Sequence, residues 1–506
     1  VVRLRRRGLA SINAEVRDGI VPAADGVTVA PAGGAPVDPP QKRSYRVVAM
    51  IIACALFMEQ MDATVLATAL PTMARDFGVP APSLSSALTT YLLALAIFIP
   101  ASGRLADRFG AKTVFRLSIV IFMLGSILCG LAPNLPTLIL ARFIQGAGGA
   151  MMIPIGRLVL LRSVARQDMV SATSWLIMPA LIGPILGPPI GGFIVTYLDW
   201  RWIFYLNIPI GILGIVLVSL FIDEIRGEKP PKADGVGFLL SGVSLGCLLF
   251  GFEMTSRTGE LPAALVLIAI GFAAGALYIR HARRHLAPIL DLTLMRVTSF
   301  RLSVIGGSLT RITQGAQPFL LPLMLQLGFG MSAAFSGTIT IAGAIGSLAM
   351  KSLAPRLLRR FGFRDSMIVG GLAASAGYAA CGFFRPEWPI WLIFLTLLLS
   401  GFCMSFQFTA YNTIAYDEIP PERMSAATSF YSTFQQLMLS MGICVGAGAL
   451  HVGMLAGGNA TPHLRDFTIA FLAVTAISTS ATIWNRRFDK DAGAELSGRK
   501  AASPAL

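Results

Sequence analysis

The 506-residue chain is 55% hydrophobic and only 13% charged, with a mean hydropathy of +0.70. These values exclude an ordinary soluble domain and indicate a polytopic membrane protein built of helices. The net charge of +15 would suit nucleic acid if gathered on a soluble domain, but the basic residues sit in short connectors between apolar runs, so no nucleic-acid partner is expected.

Residues 1–45 open with Arg3, Arg5, Arg6 and Arg7 and continue through Pro, Gly and Ala without an apolar core, as in a disordered cytoplasmic tail. No apolar segment follows the basic start before residue 46, so no cleavable signal peptide is expected. Fourteen apolar runs come next, at 46–71, 84–103, 113–131, 136–156, 170–196, 202–222, 236–254, 262–280, 302–327, 333–353, 367–384, 389–415, 425–452 and 466–485. A helix needs about 20 residues to cross roughly 30 Å of hydrocarbon, and only a helix satisfies its own backbone there. The runs divide into an N-terminal six-helix bundle over 46–222, a linker with two inserted helices over 223–281, and a C-terminal six-helix bundle over 282–485. A second cytoplasmic tail occupies 486–506.

Basic residues fall in alternate connectors: Arg104, Arg108 and Lys112; Arg157, Arg162 and Arg166; Arg280, Arg283, Arg284, Arg296 and Arg301; Arg356, Arg359, Arg360 and Arg364. The intervening connectors hold at most one each, Arg75, Arg201, Arg257, Arg385 and Arg465. By the positive-inside rule the rich connectors are cytoplasmic, which places both termini in the cytoplasm. Cys54, Cys129, Cys247, Cys381, Cys403 and Cys444 lie inside expected spans without CxxC spacing, so neither disulfides nor structural zinc are expected. The four histidines are dispersed at helix ends, so no metal cluster is expected.

One short turn occurs twice: Asp107-Arg108-Phe109-Gly110-Ala111-Lys112 and, 252 positions later, Arg359-Arg360-Phe361-Gly362-Phe363-Arg364. A repeated charged connector marks two related bundles, and the offset fits six spans plus the inserted pair. Gly110 permits the reversal, and the basic residues hold it inside.

In the first span, Glu59 and Asp62 lie three residues apart and share one helix face. A carboxylate in a membrane pairs with a base or takes up a proton, and one that alternates between these states carries protons. Arg142 in the fourth span is a candidate partner. It lies six residues from Pro136 and Asp62 nine from Pro71, which at 1.5 Å per residue gives depths of about 9 and 13 Å from the same face. A fixed ion pair and a proton-coupling pair both remain open. The glycines after Arg142 are not a nucleotide loop, because they lie inside a span with no strand before them; their plain reading is close helix packing.

In the fifth span, Gly183, Gly187 and Gly191 recur every four residues and form a flat stripe, while Pro184, Pro188 and Pro189 weaken the backbone bonds and invite a bend. Asp199-Trp200-Arg201-Trp202-Ile203-Phe204-Tyr205-Leu206-Asn207-Ile208-Pro209-Ile210-Gly211 at the entry to the sixth span reads as an aromatic anchor, and Glu253 as interfacial. Arg311, about ten residues inside the ninth span, is a candidate for substrate, a proton path or a structural pairing with carbonyls. Gln314, Gln317, Gln407, Tyr411, Asn412, Gln435 and Gln436 are cavity candidates, with packing between helices as the alternative.

The segment Gly103-Arg104-Leu105-Ala106-Asp107-Arg108-Phe109-Gly110-Ala111-Lys112 resembles a signature of the major facilitator superfamily. Asp62-Ala63-Thr64-Val65-Leu66-Ala67-Thr68-Ala69-Leu70-Pro71, Arg142-Phe143-Ile144-Gln145-Gly146, Gly183-Pro184-Ile185-Leu186-Gly187-Pro188-Pro189-Ile190-Gly191-Gly192 and Trp200-Arg201-Trp202-Ile203-Phe204 resemble those of its fourteen-span drug:proton antiporters. The resemblance implies the major facilitator fold with fourteen transmembrane helices and a multi-pass protein of a bacterial-type inner membrane. It would be driven by the proton gradient without a cofactor, exporting drugs or other small amphipathic compounds as a monomer, accessory efflux proteins being an option. Asp62, Glu59 and Arg142 would couple protons. Gly103, Asp107, Arg108, Gly110 and Lys112 would gate the inner side, with Asp107 facing the start of the thirteenth span near Arg423. Gly183, Pro184, Gly187, Pro188, Gly191 and Gly192 would close the outer side. The echo replaces the acid by Arg359, so only the first copy matches fully. Two other readings stand beside this one. Export of a metabolite or metal chelate such as an iron-citrate-like anion would use Arg142 and Arg311, whereas a membrane-embedded sensor or enzyme needs a nucleophile and base, a metal cluster or a soluble domain that the sequence lacks. No GxxxxGK[ST] loop is present for ATP.

Overall fold

The computed structural model describes residues 45–163, 169–222, 224, 234–255, 260–459 and 461–497. The expected N-terminal tail, the connector around Arg166 and most of the polar link at 223–233 lie outside them. The described residues are helical, in fourteen long helices: α1 (Tyr45–Val65), α2 (Ser85–Phe109), α3 (Ala111–Gly130), α4 (Leu135–Ser163), α5 (Met169–Tyr197), α6 (Asn207–Phe221), α7 (Gly235–Met254), α8 (Leu261–Ala282), α9 (Thr298–Leu323), α10 (Ala333–Phe361), α11 (Phe363–Cys381), α12 (Ile390–Ile414), α13 (Met424–Gly457) and α14 (Leu464–Thr479). Eleven helical stretches among the described residues are long and apolar enough to cross a membrane. Those at α5, α9 and α11 are not among them. In α9 the reason is chemical, since Thr310, Arg311, Thr313, Gln314 and Gln317 lower its hydropathy.

The repeated turns have the same local form. α2 ends at Phe109 and α3 begins at Ala111; α10 ends at Phe361 and α11 begins at Phe363. The single residue between is glycine in both, Gly110 at φ +93° and Gly362 at φ +75°. A Cβ at either would strain the backbone. Reversal in one residue lets consecutive helices run side by side, so connectors gather at two ends. At the end carrying the basic connectors, Lys112 donates to the Ser219 carbonyl at 2.9 Å and Arg104 to the Ala287 carbonyl at 2.8 Å. At the opposite end Arg201 pairs with Asp76 at 3.1 Å.

Buried side chains show how the first and last six helices meet. One apolar cluster joins Met61, Leu66, Leu84 and Phe204 to Phe319, Leu325, Ile339 and Leu450 across the midline, toward the end away from the basic connectors. Toward the basic end the clusters separate: one holds Ile52, Phe115 and Ile155 from α1, α3 and α4, another Met350, Phe363 and Tyr411 from α10 to α12. Polar contacts follow the same division. Ser440 donates to the Thr89 carbonyl at 3.1 Å, Gln326 to the Thr68 carbonyl at 3.0 Å and the Ala334 N–H to the Thr196 hydroxyl at 3.0 Å.

The inserted helices α7 and α8 pack on each other, and α7 also touches α2 and α13. Only 22% of the apolar window of each is buried, against 72% for α2, so the pair is peripheral. Leu249 of α7 packs with Leu93, Ala96, Leu437 and Cys444 at the α2–α13 seam. Glu253, one residue from the end of α7, belongs to this seam. It is 3% exposed and accepts a 2.8 Å hydrogen bond from Thr89.

Candidate functional site: a buried acid in a network of exchangeable partners

α1 and α4 bring Asp62 and Arg142 together. Arg142 Nη1 donates to Asp62 Oδ2 at 2.6 Å with both side chains sealed from solvent. Taking two charges out of water costs several kcal/mol each, which further hydrogen bonds to the pair offset, although Arg142 Nη2 has no hydrogen-bond partner among the described residues. Asp62 Oδ1 accepts from Gln145 Nε2 at 2.8 Å and from Asn207 Nδ2 at 2.9 Å. Arg142 Nε donates to the Ala87 carbonyl at 3.2 Å, and its guanidinium lies 4.3 Å from the Tyr91 ring centre, a cation–π contact.

Each donor to Asp62 also has a second acceptor in place. Arg142 Nη1 is 2.6 Å from Gln145 Oε1. Gln145 Nε2 reaches Ser126 Oγ at 2.8 Å, and Asn207 Nδ2 reaches the same oxygen at 3.2 Å. A proton on Asp62 therefore leaves none of these buried donors orphaned. The glycines that follow Arg142 allow the approach: a Cβ at Gly146 would press on the Tyr91 carbonyl, and one at Gly148 on the Phe122 amide and Ser118 carbonyl. The packing role expected of them holds.

Glu59, one turn earlier on α1, faces a different surrounding. Its side chain is buried, and Oε2 has no hydrogen-bond partner among the described residues. It lines a cleft of about 410 Å³ with Arg157, Asn412, Tyr416, Gln435 and Gln436. This cleft lies between α4 and the pair α12 and α13, on the side where the two cores are separate. Arg311 stands behind it. Arg311 donates to Gln435 Oε1 at 3.0 Å and to the Tyr431 hydroxyl at 3.4 Å, and its guanidinium lies 5.4 Å from the Phe408 ring centre.

The structure separates the remaining amide candidates. Gln314 and Gln407 border a much smaller void beside Thr310 and Ser478, and Gln407 donates to the Met367 carbonyl at 2.9 Å. Gln317 lines a third space with Thr64, Thr68, Pro184 and Pro188. Tyr411 is hydrogen-bonded to Asn485 in the core.

The α5 stripe is seated on α1. A Cβ at Gly183 would sit 3.1 Å from the Phe57 carbonyl, one at Gly187 would collide with the Thr64 side chain, and one at Gly191 would sit 2.5 Å from the Val65 carbonyl. Gly192 turns the other way, toward the Ala333 carbonyl of α10, while the Pro188 carbonyl leaves no room for a Cβ at Gly337. α5 is thus wedged between α1 and α10 with backbone against backbone, and Pro184 and Pro188 border the space beside this contact.

In the repeated turn, Gly103 has open space around it, and Gly110 lies against the Glu224 side chain. Glu224 also accepts from Thr113 at 2.6 Å. Arg108 lies over the Phe109 ring at 5.3 Å. Arg423, at the start of α13, is paired with Asp291 at 2.6 Å, within the connector that precedes α9. Burial would raise the Asp291 carboxyl, but the Thr293 hydroxyl, Arg423 and the Thr293 N–H together hold it below its usual value.

Ser126, Tyr91 and the role of Asn207 escape sequence reasoning. A single serine or tyrosine in an apolar helix has no spacing signature, and Asn207 stands in a segment read as an aromatic anchor. That segment divides: Trp202 is 54% exposed, whereas Trp200 is buried and donates to Asp76 at 3.0 Å. The histidines are also less dispersed than expected, for His281 and His285 converge with Asp234.

Comparison with known proteins agrees with this architecture. The model of the Major Facilitator Superfamily matches residues 52–443. The chain is 35% identical over 448 residues to the “Probable transport protein HsrA” of Haemophilus influenzae, covering 88% of this chain and 96% of that protein. It is 34% identical over 456 residues to the “Putative multidrug resistance protein MdtD” of Pectobacterium atrosepticum, again covering 88% and 96%. Among solved structures, that of a D-xylose-proton symporter superposes with a TM-score of 0.62 at 16% identity, covering 88% of this chain and 98% of that one, a likeness of fold. The breadth of these matches and the transporter relatives point away from an enzyme: the chain belongs to the major facilitator superfamily and is a multi-pass membrane transporter of small molecules.

Proposed function

We propose that this chain is a proton-coupled antiporter that exports small amphipathic compounds, with Asp62 as the group that binds and releases the coupling proton. The observation that carries this reading is that every buried donor to Asp62 has a second acceptor already within reach. A purely structural ion pair needs no such reserve, whereas a carboxyl that gains and loses a proton does. The name of the MdtD relatives, a multidrug resistance protein, supports export of drug-like compounds.

In this reading all fourteen long helices cross the membrane of a bacterial-type cell, and the basic connectors and both termini lie in the cytoplasm. The cleft at Glu59 then faces the cytoplasm, and the apolar core shared by the two halves closes the outer side. Glu59, with an oxygen unpartnered, receives the cationic part of a substrate, and Phe408, Tyr416 and the amides of Asn412, Gln435 and Gln436 line its path. Arg142 responds to a proton on Asp62 by shifting to Gln145, which passes the change along α4 toward the α2 and α3 faces it packs on. The α5 glycines let α1, α5 and α10 stay in backbone contact while the outer side is shut. The protein acts as a monomer driven by the proton gradient alone. A substrate-dependent proton flux measured on the purified chain in liposomes tests this reading; flux without substrate dependence, or none, refutes it.

A further inference from the structure

Asp234 stands at the N-terminus of α7, and His281 and His285 lie one turn apart at the end of α8. One ligand atom from each falls within 4.8 Å of the others. Asp234 is buried, its Oδ1 lies 2.7 Å from His281 Nε2, and it accepts from the Gly237 N–H at 2.8 Å and from the Ile289 N–H at 3.2 Å. The two imidazole rings are 5.2 Å apart. The Ala287 N–H donates to His285 Nδ1 at 3.2 Å, so this ring ligates either through Nδ1 in place of that hydrogen bond or through Nε2 once its proton has left.

We infer that Asp234, His281 and His285 form a binding site for a divalent transition metal of the zinc class, which braces the inserted helices against the connector to α9. Two imidazoles and one carboxylate are borderline donors that suit Zn²⁺, Ni²⁺ or Co²⁺; magnesium and calcium require oxygen cages, and Cu⁺ prefers sulfur. Three protein ligands leave the fourth tetrahedral position to water. The ion enters by replacing the proton between His281 Nε2 and Asp234 Oδ1; that proton moves to Nδ1 of a neutral ring or leaves to solvent from a charged one. The Gly237 and Ile289 amides already fix the carboxylate in place, as outer partners of a metal ligand do.

The position gives the site a consequence. The connector after His285 presents the Ala287 and Pro288 carbonyls to Arg104 of α2, at 2.8 and 3.1 Å, and its Asp291 holds Arg423 at the start of α13. A metal at the trio thus stiffens a segment that touches both α2 and the start of α13 at the basic end.

The test is a titration of the full-length, tag-free chain in detergent with Co²⁺ and, separately, Zn²⁺. The site predicts one ion per chain with the visible absorption of four-coordinate Co²⁺, its displacement by Zn²⁺, and a rise in Tm with Zn²⁺. His285→Ala leaves the Asp234 contacts intact, so it should keep the metal-free Tm while weakening Co²⁺ binding by about tenfold or more and abolishing the Zn²⁺ shift. Asp234→Asn should weaken binding similarly. No bound ion, or binding that His285→Ala leaves unchanged, overturns the site.

Discussion

The Arg142 guanidinium meets the Asp62 carboxylate at 2.6 Å with neither side chain exposed to solvent, and Gln145 bonds to both. Breaking such a pair from one side leaves an uncompensated buried charge, at about 3 to 5 kcal/mol. Arg142→Met should therefore lower Tm strongly, and Asp62→Asn should do the same. The double variant Asp62→Asn/Arg142→Met should be more stable than the sum of the two losses allows. Thermal unfolding of the four proteins reads the coupling, and strict additivity would mean that the two charges do not sense each other.

Ser126 offers the reserve acceptor for two donors. Replacing it by Ala removes that acceptor without touching the ion pair, so stability should change by about 1 kcal/mol while transport falls severalfold. Equal transport by Ser126→Ala and the parent, measured in the same vesicles, would show that the reserve is unused.

Side chain and backbone walls distinguish the α5 glycines. At Gly187 the obstacle is the Thr64 side chain, so Gly187→Ala should impair transport and Thr64→Ala should restore much of it. At Gly192 the obstacle is the Ala333 carbonyl, and Gly192→Ala has no side chain to relieve it. Rescue at Gly187 alone is the expected pattern; failure of rescue there would place the function of the stripe elsewhere.

These positions show what the sequence made legible. Similar depth makes Asp62 and Arg142 candidate partners from the sequence, since rise per residue is the same in every helix. The Gly183, Gly187 and Gly191 stripe was readable because four-residue spacing repeats on one face. Gln314 and Gln407 could not be told from Asn412, because which way an amide points depends on how each helix is rotated against its neighbours. Asp234 and His281 are 47 positions apart and meet only because α7 and α8 fold back on each other. The HxxxH spacing of His281 and His285 was the one local hint.

Glu59 tests substrate charge. Glu59→Gln keeps the shape of the cleft and removes its free acid, so efflux of cationic compounds should drop about tenfold, a loss of about 1.4 kcal/mol, while uncharged ones are spared. Parallel efflux assays with one compound of each kind decide this, and an equal loss for both would assign Glu59 to the proton path.

The Asp291–Arg423 contact has a defined pH window. Because the folded Asp291 carboxyl is held below its usual value, its contribution is complete above the ordinary carboxylate range and is lost as pH falls through the folded value. Both side chains are partly exposed, so Asp291→Asn should cost about 0.5 kcal/mol at neutral pH. The difference in Tm between variant and parent should shrink toward zero in strong acid, and a difference that grows with acidity would contradict the assignment.

The central claim is that Asp62 carries the coupling proton. Its most direct measurement is substrate-driven proton movement in liposomes holding either the parent chain or Asp62→Asn, with Tm and reconstituted amount matched through the Asp62→Asn/Arg142→Met background. The account predicts proton movement on substrate addition in the parent and none in either variant. Undiminished movement in Asp62→Asn would contradict it.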